Sequence, residues 1–222
     1  MIRCRVSYQK VGPLRFISHL DLQKVWIRVL LRAKMPLAYT QGFHPSPKMA
    51  TAWPLPLGWD GRNELIDLWF KQEAFDQNED WTERLITHLN QKSPGGLIIN
   101  SIEPVELFSP AITTLIQSAD YQVKLPIDTD TALLAEKAQE FLSKDTVLRS
   151  RRNKEYNLRS FVESEIRIET ESAENPSFYV TMTAKDSAMG RPDELADELG
   201  LMPEDLSFIR DRFHLISPPK PE

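Results

Sequence analysis

Apolar and polar residues alternate in several segments of the chain, and this pattern predicts β-strands. In residues 2–9 the apolar set is Ile2, Cys4, Val6 and Tyr8, and the polar set is Arg3, Arg5, Ser7 and Gln9. Because side chains point alternately to the two faces of a strand, this segment predicts a half-buried strand. Further strands are predicted at residues 64–70, 96–105, 119–127, 161–171, 177–184 and 206–216.

Helices are predicted where a capping residue precedes a helical apolar period. Ser18 with Asp21 three residues later has the spacing of a capping box, so a helix should begin there and run to about Lys34, before Pro36. Its apolar face consists of Leu22, Val25, Trp26, Val29 and Ala33. Its basic stripe consists of Lys24, Arg28 and Arg32, which are four residues apart. Other helices are predicted at residues 80–90, 131–142 and 192–199.

The order of these elements is β-α-β-β-α-β, and it occurs twice. This order is that of the ferredoxin-like motif, so the sequence predicts an α+β fold of two ferredoxin-like units packed together. The units should span residues 1–107 and 119–217, with a connection at 108–118 and a disordered tail at 218–222.

Positive charge is concentrated in two segments, although the formal net charge is −5. Residues 1–58 contain nine Lys or Arg and one acid, and residues 149–159 contain five basic residues and one acid. Such segments are candidate sites for phosphate or another polyanion, although each cation can equally be an ordinary solvated side chain. The candidate cations are Arg15, Lys24, Arg28, Arg32, Lys48, Arg151, Lys154 and Arg159.

Residues 41–48 combine several chemically useful side chains in one proline-stiffened loop. Phe43 can stack on a base, His44 can transfer protons, and Gln41 and Lys48 can contact a phosphate or base. The alternative is a proline-rich loop that merely covers a sheet edge. His19 is the second catalytic candidate because it begins the capped helix, although it can equally be a simple polar residue of the first turn.

Other chemistries find no support in the sequence. No targeting segment and no apolar run of membrane-spanning length is visible, so a cytoplasmic location is expected. Cys4 is the only cysteine, which excludes an internal disulfide and a cysteine-ligated cluster. Two histidines without a nearby third ligand are a weak metal signal, and no nucleotide-binding glycine loop is present. We therefore expect no metal and no cofactor.

Several motifs resemble those of the radical SAM-linked protein family. The similarity lies in residues 10–22, 36–39, 41–48 and 54–58 and at Glu64, and is fainter at 154–159 and 191–195. This family is a domain of unknown function that occurs alone or fused C-terminal to a cobalamin-binding-type radical SAM protein. The resemblance implies an accessory role beside a radical SAM partner. The residues that it emphasises are His19, Gln41, Gly42, His44, Pro45, Lys48 and Glu64.

Three functional hypotheses follow. The first is an accessory module that binds RNA, such as tRNA or rRNA, and presents it to a radical SAM enzyme. The second is a protein adaptor that docks on that partner through an apolar or acidic face. The third is an RNA-processing enzyme, which requires His19 and His44 to converge in one cleft.

Overall fold

The fold is that of a computed structural model, which describes residues 1–71, 80–151, 153–163, 165–170, 175–185 and 188–216. The chain divides into two compact units. Unit 1 comprises Met1–Leu115 and the chain from Ile216 onward, and unit 2 comprises Ile116–Leu215. The division lies inside the connection that the sequence predicts at residues 108–118. The predicted disordered tail at 218–222 lies outside the described residues.

Unit 1 follows the predicted β-α-β-β-α-β order and adds a short helix at its end. Its elements are β1 (Ile2–Lys10), α1 (His19–Arg32), β2 (Met49–Thr51), β3 (Asp60–Phe70), α2 (Trp81–Lys92), β4 (Leu97–Val105) and α3 (Ile112–Leu115). The four strands form an antiparallel sheet in the order β2-β3-β1-β4, which is the ferredoxin-like order. In this register, Val6 of β1 pairs with Ile66 of β3 and with Ile102 of β4.

Helix α1 begins where the sequence predicts. The Ser18 hydroxyl accepts a hydrogen bond from the backbone N–H of Asp21 at 3.1 Å and donates one to its carboxylate at 2.7 Å. The helix buries Leu22, Trp26, Val29 and Leu30 against the sheet and α2. The prediction that Val25 belongs to the core face is wrong in degree, because Val25 is only partly buried while Leu30 is fully buried.

The opposite face of the unit 1 sheet contains a buried ion-pair network. Arg3 is 3% exposed and donates to the Asp67 carboxylate at 2.6 Å, and Arg5 donates to the same carboxylate at 2.9 Å. Arg3 also donates to the carbonyl groups of Ser109 and Pro110, so the segment after β4 covers the beginning of β1. The expectation of a solvated polar face on β1 is therefore wrong at this end of the strand.

Unit 2 repeats the motif with an inserted hairpin. Its elements are β5 (Ile116–Lys124), α4 (Thr131–Ser143), β6 (Leu148–Arg151), β7 (Lys154–Asn157), β8 (Arg167–Glu169), β9 (Ser177–Lys185), β10 (Ala188–Met189), α5 (Pro192–Glu198) and β11 (Ser207–Leu215). Strands β8, β9, β5 and β11 pair antiparallel in that order, again the ferredoxin-like arrangement. Strand β10 also pairs with β9, and β6 pairs with β7 in a separate hairpin.

The long strand predicted at residues 161–171 is mostly absent. Only Arg167–Glu169 pairs with β9, and Leu158–Phe161 forms a 3-10 turn instead. Leu158 and Phe161 are buried there, so burial of apolar side chains in a turn overrides the strand-like pattern. Within the described residues, no helix combines the length and the apolar character that crossing a membrane requires.

Candidate functional site

Residues 38–48 of unit 1 form a projecting loop that is braced by its own backbone. The Lys48 N–H donates to the Ala38 carbonyl at 2.8 Å, and the Thr40 N–H donates to the Ser46 carbonyl at 2.8 Å. The Thr40 hydroxyl also accepts a bond from the Ser46 N–H at 3.1 Å. Pro45 and Pro47 fix two further φ angles, so the loop presents its tip in a restricted conformation.

The tip of the projecting loop exposes the side chains that the sequence singles out. Phe43 is fully exposed, and Gln41 and His44 are exposed beside it. Within the described residues, neither Phe43 nor His44 takes part in a hydrogen bond, ion pair or ring contact. Gly42 has a φ of +132°, a conformation that other residues rarely adopt. An apolar ring is thus held in solvent by a defined backbone.

The base of the projecting loop rests on Trp69 of β3. The Ala38 N–H donates to the Trp69 carbonyl at 2.9 Å, and the Trp69 N–H donates to the Lys48 carbonyl at 3.2 Å. The Lys48 ammonium lies 5.0 Å from the centre of the Trp69 ring, and the Arg3 guanidinium lies 5.0 Å from the same ring. These contacts anchor the loop and keep an exposed ammonium at its base.

The basic stripe of α1 lies on the solvent side of the helix. Lys24, Arg28 and Arg32 are all exposed. Lys24 is paired with Asp21 at 3.0 Å, whereas no carboxylate of the described residues lies within ion-pair distance of Arg28 or Arg32. Because α1 ends shortly before the projecting loop begins, the two arginines and the loop belong to the same end of unit 1.

His19 lies in a cleft at the other end of α1. The side chains that contribute to this His19 cleft are Tyr8, Lys10, His19, Leu22, Thr51, Ala52, Trp53, Pro54, Leu55, Glu64 and Leu65. Its enclosed volume is about 10 Å³, which is room for one water-sized molecule. The cleft is therefore too small for a nucleotide as it stands.

The buried charges of the His19 cleft hold the loop that precedes α1. Lys10 is 1% exposed and donates to the carbonyl groups of Ile17 at 3.2 Å and Arg15 at 3.5 Å. The Glu64 carboxylate, also buried, folds against Gly61, where an added Cβ would lie 2.7 Å from Oε1. Gly61 is the strand partner of Lys10, so a glycine is needed there to admit the carboxylate.

The environment of His19 favours a neutral ring. Burial and the nearby Lys10 charge lower the pKa of His19 below its ordinary value. Its Nε2 atom lies 3.3 Å from the Thr51 hydroxyl and 3.2 Å from the Gln23 amide nitrogen. His44 does not line this cleft. Strand β3 rises by about 17 Å between Glu64, in the cleft, and Trp69, under the projecting loop. The structure thus does not bring the two histidines together.

Arg15 is half engaged in the internal structure of unit 1. Its guanidinium lies 3.6 Å from the Asp60 carboxylate and 4.8 Å from the centre of the Phe16 ring. Its carbonyl accepts a bond from the Gly58 N–H at 2.8 Å, which joins the segment before α1 to the proline-rich segment before β3. Arg15 therefore joins two of the motif segments and is less available to a polyanion than Arg28.

The second basic segment is largely neutralised inside unit 2. Arg149 donates to Asp197 at 2.5 Å and Arg151 donates to Glu194 at 2.8 Å, both acids lying on α5. Arg159 donates to the carbonyl groups of Leu142 and Val162. Lys154 is exposed at the turn of the β6–β7 hairpin. Arg151 and Arg159 are thus committed to the fold, and the Lys154 side chain remains directed to solvent.

Comparison with known proteins agrees with the motif content of unit 1. Residues 3–192 match a family described as uncharacterized proteins conserved in bacteria, DUF2344. The chain belongs to this DUF2344 family. No curated protein matches it. A crystal structure assigned provisionally as a glycine cleavage system transcriptional repressor aligns over 97% of this chain and 98% of that chain. The sequence identity is 12% and the TM-score 0.24, so it supports no functional argument.

Sequence reasoning missed two contributors to the His19 cleft of this DUF2344 protein. Lys10 continues the even-numbered core positions of β1, so its place in the alternation was a usable signal of burial. Thr51 carried no such signal, because its contact with His19 depends on the pairing of β2 with β3. Among the described residues, no group of three histidine, cysteine, aspartate or glutamate side chains is arranged to hold a metal ion.

Proposed function

We propose that this DUF2344 protein is an accessory module that binds RNA through the projecting loop and the α1 basic stripe of unit 1. The observation that carries the proposal is the fully exposed Phe43 at the tip of a backbone-braced loop. An exposed phenylalanine gains little in water, but it gains substantially when an unstacked base covers it. A restricted loop also loses less conformational entropy on binding than a flexible one.

Phosphate contacts would come from the cations at the same end of unit 1. Arg28 and Arg32 are exposed without a carboxylate partner in the described residues, and Lys48 lies at the base of the loop. Arginine binds phosphate in a bidentate manner, so a free arginine pair suits a nucleic-acid backbone. Base stacking at Phe43 and phosphate contacts at the arginines are the usual combination for single-stranded nucleic acid.

The radical SAM association is the part of the proposal that rests on resemblance alone. The chain cannot supply the cluster of such an enzyme because Cys4 is its only cysteine. Burial raises the pKa of the Cys4 thiol to about 12, so it is also a poor nucleophile. A separate protein, or a fused domain, would therefore have to perform the chemistry on the bound RNA.

Fluorescence anisotropy with labelled tRNA and rRNA fragments tests RNA binding. Phe43→Ala should weaken binding by about 1–3 kcal/mol, the usual contribution of one base stack. Phe108→Ala is the matched control, because Phe108 is another phenylalanine of unit 1 that is 95% exposed. Equal effects of the two variants, or the absence of any binding, would contradict the proposal.

The phosphate contacts have a separate signature in the salt dependence of binding. The double variant Arg28→Ala with Arg32→Ala should reduce the slope of log K against log salt by about 2, close to one for each lost contact. Lys154→Ala is the control, because Lys154 is an exposed cation of the other unit. A slope that falls as much in the control as in the double variant would show non-specific attraction. Co-purification with the radical SAM protein of the same bacterium tests the association independently.

A further inference from the structure

A groove in unit 2 has an apolar lining, and it is independent of the RNA surface proposed above. Its walls come from the segment between β5 and α4, the first turns of α4, and the segment between α5 and β11. Its volume is about 320 Å³, at the lower end of the range for ligand sites. The apolar lining consists mainly of Pro126, Leu133, Leu134, Leu199, Met202 and Leu206.

Several of these apolar side chains are exposed to solvent. Met202 is 61% exposed and Leu133 is 47% exposed, and Ile127, between two residues of the groove, is 80% exposed. Clustered exposed aliphatic side chains around a concave surface are typical of interaction sites rather than of ordinary surface. Methionine also adapts its shape to a partner's side chains.

The charges at the mouth of the groove select the partner. Asp128, Asp130 and Asp205 are exposed lining residues, and Lys137 is the one cation among the residues of the groove. The Lys137 ammonium lies over the backbone of Gly200, where an added Cβ would be 2.6 Å away. The mouth is therefore acidic around an apolar floor, which disfavours RNA and any other polyanion.

We propose that this groove docks a basic amphipathic helix of a partner protein. Aliphatic side chains on one face of the helix would fill the groove, and flanking lysine or arginine side chains would pair with the three aspartates. This is the helix-in-groove mode of recognition, with specificity set by charge at the rim. One end of unit 1 would then bind RNA while unit 2 binds the partner, and either interaction can fail without the other.

The test uses the full chain and two labelled synthetic peptides. Both are amphipathic 15-residue helices with leucine on one face, and their flanks carry lysine in one peptide and glutamate in the other. In anisotropy titrations the lysine peptide should bind at least about tenfold more tightly than the glutamate peptide. Leu133→Glu and Met202→Glu should each weaken the lysine peptide by about tenfold, since both place a charge in the apolar groove. Leu148→Glu is the matched control, because Leu148 is an exposed leucine of unit 2 outside the groove.

The double variant Asp128→Lys with Asp205→Lys should reverse the preference, so that the glutamate peptide binds more tightly. Equal binding of the two peptides, or equal weakening by Leu148→Glu and Leu133→Glu, would overturn the proposal. Sedimentation velocity identifies a second copy as the occupant. Self-association of the wild-type chain that Leu133→Glu abolishes would also overturn it, because the groove would then be a contact between copies.

Discussion

Residues 1–58 and residues 149–159 are both rich in lysine and arginine, but the fold uses the two segments differently. In residues 149–159, Arg149 and Arg151 pair with acids of α5, and Arg159 binds backbone carbonyl groups. In residues 1–58 the cations divide. Arg3, Arg5 and Lys10 serve the interior of unit 1, whereas Arg28 and Arg32 face solvent. The local density of positive charge therefore does not indicate whether a segment can bind a polyanion.

The physical reason for this difference is the position of the acids. Helix α5 lies against the β6–β7 hairpin and brings Glu194, Asp197 and Glu198 to its arginines. In the N-terminal segment the single acid, Asp21, pairs with Lys24 in the first turns of α1, and the later turns keep their charge. A carboxylate distant in sequence is what silences a basic segment.

The largest expected effect is on the buried cations of unit 1. Asp67→Asn should lower the free energy of unfolding by about 3–5 kcal/mol, because it leaves the buried Arg3 and the largely buried Arg5 without their counter-charge. Urea denaturation followed by circular dichroism measures this loss. The control is Asp60→Asn, whose half-exposed partner Arg15 should limit the loss to less than about 1 kcal/mol. Similar losses in the two variants would mean that the Arg3 network is not a buried ion pair.

A smaller effect is expected in unit 2. Glu194→Ala removes the acceptor of Arg151 and of the Tyr156 hydroxyl and should destabilise the protein by about 1–2 kcal/mol. Because it also frees a guanidinium, it should increase retention on a heparin column. Glu155→Ala, which removes an exposed acid of the same hairpin, is the control for the change in net charge. If both variants shift retention equally, neutralisation by α5 is not what separates the two basic segments.

The buried Lys10 should be detectable through His19. The pKa of His19 is lowered in the folded chain, first by burial and then by Lys10, whereas the unfolded chain titrates near its ordinary value of about 6.5. As pH falls through that value the unfolded chain takes up a proton that the folded chain does not, so stability decreases. His19→Gln should flatten this dependence between pH 7 and pH 5 in urea titrations, with pH 8 as the common reference. An unchanged slope would contradict the assignment.

The smallest effect on stability is expected at the exposed arginines. Arg28→Ala with Arg32→Ala should change the free energy of unfolding by no more than about 0.5 kcal/mol, because neither side chain has an ion-pair partner in the described residues. Heparin retention should nevertheless fall clearly. Arg149→Ala is the reverse case, with a loss of stability and little change in retention. A stability loss at Arg28 and Arg32 equal to that at Arg149 would remove the distinction between the segments.

Much of the fold was predictable from periodicity. The alternation in residues 2–9 and the Ser18 cap predicted β1 and α1, and the element order predicted two ferredoxin-like units. Errors arose where tertiary packing overrode local pattern, as at Leu158 and Phe161, which are buried in a turn. For the site, the exposed loop tip with Phe43 followed from the proline-rich composition, since such loops rarely pack into a core.

The sequence by itself determined the element order, the cap of α1, the single unreactive cysteine and the amount of positive charge in each segment. The tertiary structure alone decided which charges are available, because an ion pair such as Arg3–Asp67 joins residues 64 positions apart. It also decided that His19 and His44 occupy separate places, and that aliphatic residues from two distant segments of unit 2 form one acidic-rimmed groove. Periodicity is a property of neighbouring residues, whereas burial and charge pairing depend on which strands and helices the fold brings together.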